Sequence, residues 1–155
     1  AKSYVEMCQG LGQMQEVEAI FATSFPSNYA GMVVIDRISA NSVCPHHALP
    51  VLYRVDFAYI PNKKMLGLSK IPRFIQLLAR RPILQEDYTK ELIELFVKHV
   101  DPLGAMVMIS GIHNCMVCRG VKTADSSANT SEVYGVFDKV ETRLEFFEIL
   151  KLRGR

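Results

Sequence analysis

The chain carries no block of like charge, no apolar run long enough to cross a bilayer, and no internal repeat or low-complexity tract. Each absence closes off a class of function. Its 18 basic and 16 acidic residues leave a formal charge of +2, too little for the phosphate-neutralising surface that a nucleic-acid partner demands. Beyond short pairs such as Arg80 with Arg81, the basic residues gather at the C-terminal group Lys151, Arg153 and Arg155, a tail that reads as solvated. No spanning segment and no signal-like N-terminal pattern is present, so neither a membrane partner nor export is expected. Cysteine is sparse, at four residues. In a chain without an export signal these are thiols or metal ligands rather than disulfides, which points to the cytoplasm. Low proline and glycine counts and 49% apolar residues in 155 suit one globular domain with a core.

What is present is concentrated in two short clusters, CPHHALP at 44–50 and IHNCMVCRG at 112–120. Together they offer soft thiols and imidazoles, the donors of a zinc site. A tetrahedral zinc centre that keeps one position for water needs three protein ligands, and Cys44, His46 or His47, and Cys115 can supply them. Pro45 favours a turn in the first cluster. In the second, an extended strand would put His113 and Cys115 on one face and Cys118 on the other. A closed structural site using Cys118 as a fourth ligand is the alternative. Taken singly, each residue has a bland reading as a buried thiol or a satisfied core histidine. Their clustering favours metal.

Periodicity places these clusters. Residues 2–22 are moderately helical, interrupted by Gly10 and Gly12. A β-branched run from Gly31 to Val43 and the strict alternation Val51, Tyr53, Val55, Phe57, Tyr59 predict a strand pair, with Arg54 and Asp56 on its polar face. The first cluster is then the connection of a hairpin. Ser69 and Pro72 predict a helix start for Ile71 to Ala79, and a second helix runs from Gln85 until Asp101 and Pro102. Ala105 to Val117 and Thr130 to Phe137 read as another strand pair, and Glu141 to Leu152 as an amphipathic helix. The order β-β-α-α-β-β with a terminal helix predicts an α+β domain over 31–155, preceded by a short helical segment over 1–30. Its helices cover one face of an antiparallel sheet. The uncovered face and edges predict an oligomer.

From about Met32 onward the chain closely resembles the GTP cyclohydrolase I family. The matching segments are CPHHALP, VDFAYIPNKKMLGLSKIPR at 55–73, RRPILQEDYTKEL at 80–92, HNCMVCRGV at 113–121 and GVFDKVETRLEFF at 135–147. The resemblance implies a tunnelling fold in a ring-shaped homo-oligomer, usually a decamer, with active sites between subunits. It implies zinc-dependent opening of the GTP imidazole ring, loss of C8 as formate, and formation of 7,8-dihydroneopterin triphosphate for pterin, folate or 7-deazaguanine synthesis. Cys44, His47 and Cys115 match the zinc ligands, and His113 and His46 the active-site histidines. Glu86 matches the guanine reader, with Gln85 meeting substrate beside it. Lys70, Arg73 and Arg119 match triphosphate contacts. Ser69 matches a proton relay to the ribose, although it can equally be a helix cap.

Three departures accompany the match. Pro45 stands where the family has a glutamate, Cys118 is an addition expected to be a buried thiol, and residues 1–20 lack the family's N-terminal basic stretch. The last leaves the triphosphate to Lys70, Arg73 and Arg119. Two alternative functions follow: a cyclohydrolase for another guanine nucleotide or one stopping at a formylated intermediate, and an idle homologue that binds pterin or guanine.

Overall fold

The structure, a computed structural model, describes residues 2–152. Arg153 and Arg155 of the basic C-terminal group lie outside the described residues. Four antiparallel strands form the main sheet in the order β2 (Val33–Val43), β3 (Pro50–Ile60), β5 (Gly104–His113), β6 (Ala128–Gly135). The alternation seen in the sequence becomes burial: Val51, Tyr53, Val55, Phe57 and Tyr59 are 0–3% exposed. They face α3 (Lys70–Ala79) and α4 (Gln85–Val100). Helix α4 buries Tyr88, Leu92, Phe96 and Val100, a four-residue spacing that keeps one stripe on the sheet. Truncating a ring such as Phe96 to alanine here costs about 3–5 kcal/mol.

The N-terminal residues form α1 (Lys2–Met7), a 3₁₀ turn (Gln9–Gly12) and α2 (Glu16–Phe21). Val17 and Phe21 of α2 enter the same core, with the Phe21 ring 4.8 Å from Phe74 and 5.9 Å from Phe96. A two-stranded ribbon of β1 (Ser24–Pro26) and β4 (Lys64–Leu66) was not expected from the sequence. Three residues are too few to show a period.

The expectation that the helices cover one face holds for α3 and α4. The terminal helix α6 (Val140–Lys151) takes the other face at one end of the sheet, where Phe146 joins Ala58, Met106 and Phe137. At the opposite end that face stays open at Leu52, Arg54 and Ile112. Asp56, expected among exposed polar groups, is buried. It accepts a 2.8 Å hydrogen bond from the Arg37 backbone N–H at a bulge in β2. Two strand ends also differ from expectation. β5 stops at His113, and Asn114–Val117 form a helical turn, α5. The Asn114 side chain donates to the Pro50 carbonyl at 2.9 Å, and the Cys118 N–H returns to the Asn114 carbonyl at 3.0 Å. β6 stops at Gly135, whose φ of 64° breaks the extended backbone before Phe137.

Candidate active site

The site is built where β2 and β5 end and β3 begins. After Val43 the chain turns through Cys44 to Pro50 and is held by two backbone bonds. Ala48 N–H donates to the Cys44 carbonyl at 2.9 Å, and Cys44 N–H to the Leu49 carbonyl at 2.8 Å. Ala48 takes the left-handed region, φ 53°. This fold-back sets Cys44 Sγ 3.4 Å from His47 Nδ1. Val51 pairs with His113 in the sheet, which delivers the α5 turn and Cys115 to the same place. The donor atoms of Cys44, His47 and Cys115 all lie within 4.8 Å of one another.

The donor set fits a metal ion. Bonds of 2.0 and 2.3 Å at a tetrahedral angle separate sulfur and nitrogen by about 3.5 Å, close to the Cys44–His47 spacing. Burial pushes the Cys115 thiol above its ordinary pKa, and the adjacent Cys44 adds to the rise. A cation held between the two sulfurs would take the place of thiol protons, which coordination releases.

His113, the last residue of β5, and Cys115 are both at the site, though not by the expected route. Cys115 is on a helical turn, so the alternation of an extended strand does not relate them. The same turn corrects Cys118. It is exposed rather than buried, and its thiol contacts the Asn114 carbonyl at 2.7 Å. His113 Nε2 lies 2.8 Å from Gln85 Oε1. Burial lowers the His113 pKa, and the charge of nearby Glu86 opposes that shift. Glu86 is exposed at the start of α4 and lines a cleft of about 280 Å³ with Thr89, Thr130, Ser131 and Glu132. Gln85 was expected to meet substrate. Its side chain is instead turned inward, 2% exposed, with its amide engaged by the protein.

His46 is exposed, its ring centre 6.1 Å from that of His47, and Arg119 is exposed just past the α5 turn. Ser69, Lys70 and Arg73 are elsewhere. Gln76 donates to the Ser39 carbonyl at 3.1 Å, and the Arg81 carbonyl accepts from Ser42 at 2.9 Å. Helix α3 therefore runs toward Cys44 at its C-terminal end. Its start lies about 15 Å of helical rise further back, beside the β3 end where Leu66 N–H meets the Tyr59 hydroxyl. Within one chain these three residues do not join the Cys44 cluster. Ser69 precedes α3 without a side-chain cap bond, so its hydroxyl is not the cap.

Three residues beside the site escaped the sequence. Thr89 and Thr130 bond each other at 2.7 Å under Gln85. Tyr53 packs its ring 6.3 Å from that of His113, its buried hydroxyl facing Ser42 without an ordinary hydrogen bond. Burial chiefly, with Glu86 and Cys44 adding, pushes the Tyr53 pKa up to about 12. The Tyr53 ring lies on the apolar face of the alternation, which flagged it for the core and nothing more.

An antiparallel sheet backed by two helices, with a Cys–His–Cys group at the strand ends, defines a tunnelling-fold protein able to hold a metal. Solved structures agree on the fold. Archaeosine synthase QueF-Like in its apo form superposes with a TM-score of 0.54 at 18% identity, covering 70% of this chain and 96% of that one. Dihydroneopterin aldolase of E. coli in complex with neopterin gives 0.54 at 13%, covering 68% and 99%. The GTP cyclohydrolase I family model matches residues 1–151. GTP cyclohydrolase 1 of Campylobacter jejuni strain 81-176 is 42% identical over 141 residues, 90% of this chain and 74% of that protein. The Dictyostelium discoideum enzyme of the same name is 38% identical over 152 residues, 97% and 65%. The chain belongs to the GTP cyclohydrolase I family.

Proposed function

We propose that this chain is a GTP cyclohydrolase I that converts GTP and water to formate and 7,8-dihydroneopterin triphosphate by hydrolytic opening of the guanine imidazole ring at C8. The observation that carries the reading is the convergence of Cys44, His47 and Cys115 within 4.8 Å beside a hydrogen-bonded His113. Two thiolates and an imidazole are a soft donor set, and zinc is the ion they suit. When bound, zinc supplies Lewis acidity that makes water nucleophilic near neutral pH.

The protein's own groups do the rest. Glu86 accepts from guanine N1–H and the exocyclic amine, a donor pair that adenine lacks. His113 carries a proton at purine N7, and His46 orients water or moves a proton at the open side of the site. Arg119 meets the triphosphate from the metal end. Ser69, Lys70 and Arg73 reach it from a second copy of the chain, Ser69 toward the ribose. Open edges at β2 and β6 favour closing such copies into a ring, and ten is the family count. Thiolate ligands suit a reducing compartment, and the reading is of a cytoplasmic enzyme.

The test is incubation of zinc-loaded protein with GTP, GDP and GMP, following formate and pterin fluorescence. Formate and pterin from GTP, abolished by chelation and restored by zinc, are expected. Formate without pterin, or preference for GMP, would replace this reading by the second cyclohydrolase. No formate from any of the three would leave an idle homologue.

A further inference from the structure

We propose that Gln85 is a positioning residue that holds the His113 imidazole with its proton on Nε2 and leaves Nδ1 to face the substrate. The word substrate rests on the reaction proposed above; the tautomer does not.

The direction of every bond in the network can be worked out. Gln85 Nε2 lies 3.3 Å from the Ile109 carbonyl, 3.0 Å from the Ala128 carbonyl and 3.0 Å from Thr130 Oγ1. Carbonyl oxygens only accept, so this end of the amide is the NH₂ group. A flipped amide would set an oxygen against two carbonyls. The other end, Oε1, also only accepts, so its 2.8 Å contact requires a proton on His113 Nε2. Thr89 Oγ1 donates to the Gln85 carbonyl at 2.6 Å. Thr130 must then donate to Thr89 across their 2.7 Å contact, which leaves Thr130 a lone pair for Gln85. The amide's two protons serve three acceptors, so the longer 3.3 Å contact to the Ile109 carbonyl shares one of them.

Burial makes the arrangement rigid. Gln85 is 2% and Thr89 3% exposed, and a satisfied network in a dry setting resists rearrangement. Gly111, paired with Tyr53 across the sheet, gives the room: a Cβ there would collide with Gln85 Oε1 and lie 3.0 Å from the Tyr53 ring. A side chain so enclosed offers substrate nothing directly. It acts through His113.

The experiment is histidine ¹⁵N NMR on the zinc-loaded full chain, joined to steady-state kinetics with GTP. Wild type should show His113 as a single neutral Nε2–H tautomer. Gln85→Leu should mix tautomers and lower kcat by about 10²-fold through lost orientation, with KM for GTP within about twofold. A wild-type neutral ring with its proton on Nδ1 and none on Nε2 overturns the proposal, and that measurement needs no variant to fold. So does a Gln85→Leu enzyme whose KM rises while kcat holds, because the side chain would then be a substrate contact. The Nε2–H tautomer in a holoenzyme that releases no formate from GTP supports the positioning role and overturns the reaction.

Discussion

The two ends of the main sheet are built to different standards. At one end a hairpin turn and a strand terminus, locked by backbone bonds and by Asn114 to Pro50, bring Cys44, His47, Cys115 and His113 together inside a single chain. At the other end Ser69, Lys70 and Arg73 stand at the start of α3, and Arg73 opens onto a cavity of about 350 Å³ shared with Gln13, Glu16, Gln76 and Arg80. Metal coordination tolerates errors of only a few tenths of an ångström, so it is made from neighbouring strands. Charge attraction to a phosphate falls off slowly with distance, so its groups can arrive from another copy.

The largest break in this comparison is at the metal end. Cys115→Ser should lower metal affinity by at least about 10²-fold and abolish formate release, read by elemental analysis and turnover. Zinc bound at wild-type stoichiometry and affinity would remove Cys115 from the ligand set. Next comes His113→Ala, which should keep the metal and lose about 10²–10⁴-fold in kcat. Wild-type turnover would show that no proton passes through this ring. Glu86→Gln turns an acceptor toward guanine into a donor and should weaken GTP binding by about 1–3 kcal/mol, measured by calorimetry. Equal binding would move the guanine reader elsewhere. The smallest effect is on stability at the far end. Because the Ser69 hydroxyl caps nothing, Ser69→Ala should change unfolding free energy by less than about 0.5 kcal/mol. A loss near 1 kcal/mol would mean a cap after all.

How much of this was legible before the structure follows from the range of each signal. The alternation Val51 to Tyr59 and the stripe on α4 gave the sheet and its helices, since a period repeated over ten residues records which side is buried. The spacing within CPHHALP gave Cys44 with a nearby histidine, because a single turn closes it. The pattern puts Cys115 beside Cys44, as the structure does, but through a strand geometry that the structure replaces: nothing in HNCMVC marks the change from strand to helical turn, where Asn114 bonds to distant Pro50. Thr89, Thr130 and Gly111 were invisible for the same reason. Their contacts with Gln85 join α4, β5 and β6, and no short motif spans three elements. The burial of Asp56 likewise depends on a bulge in the partner strand.

The central claim is that the metal end of one chain and the α3 start of another make one site, and subunit complementation tests it most directly. His113→Ala and Arg73→Ala chains, each inactive alone, would be co-expressed and the mixed oligomer assayed for formate from GTP. Random assembly should restore activity at about a quarter of the sites, those that draw an intact metal end and an intact α3 from different chains. A mixed preparation no more active than the two variants assayed separately would contradict the account and put both groups of residues in the same chain's site.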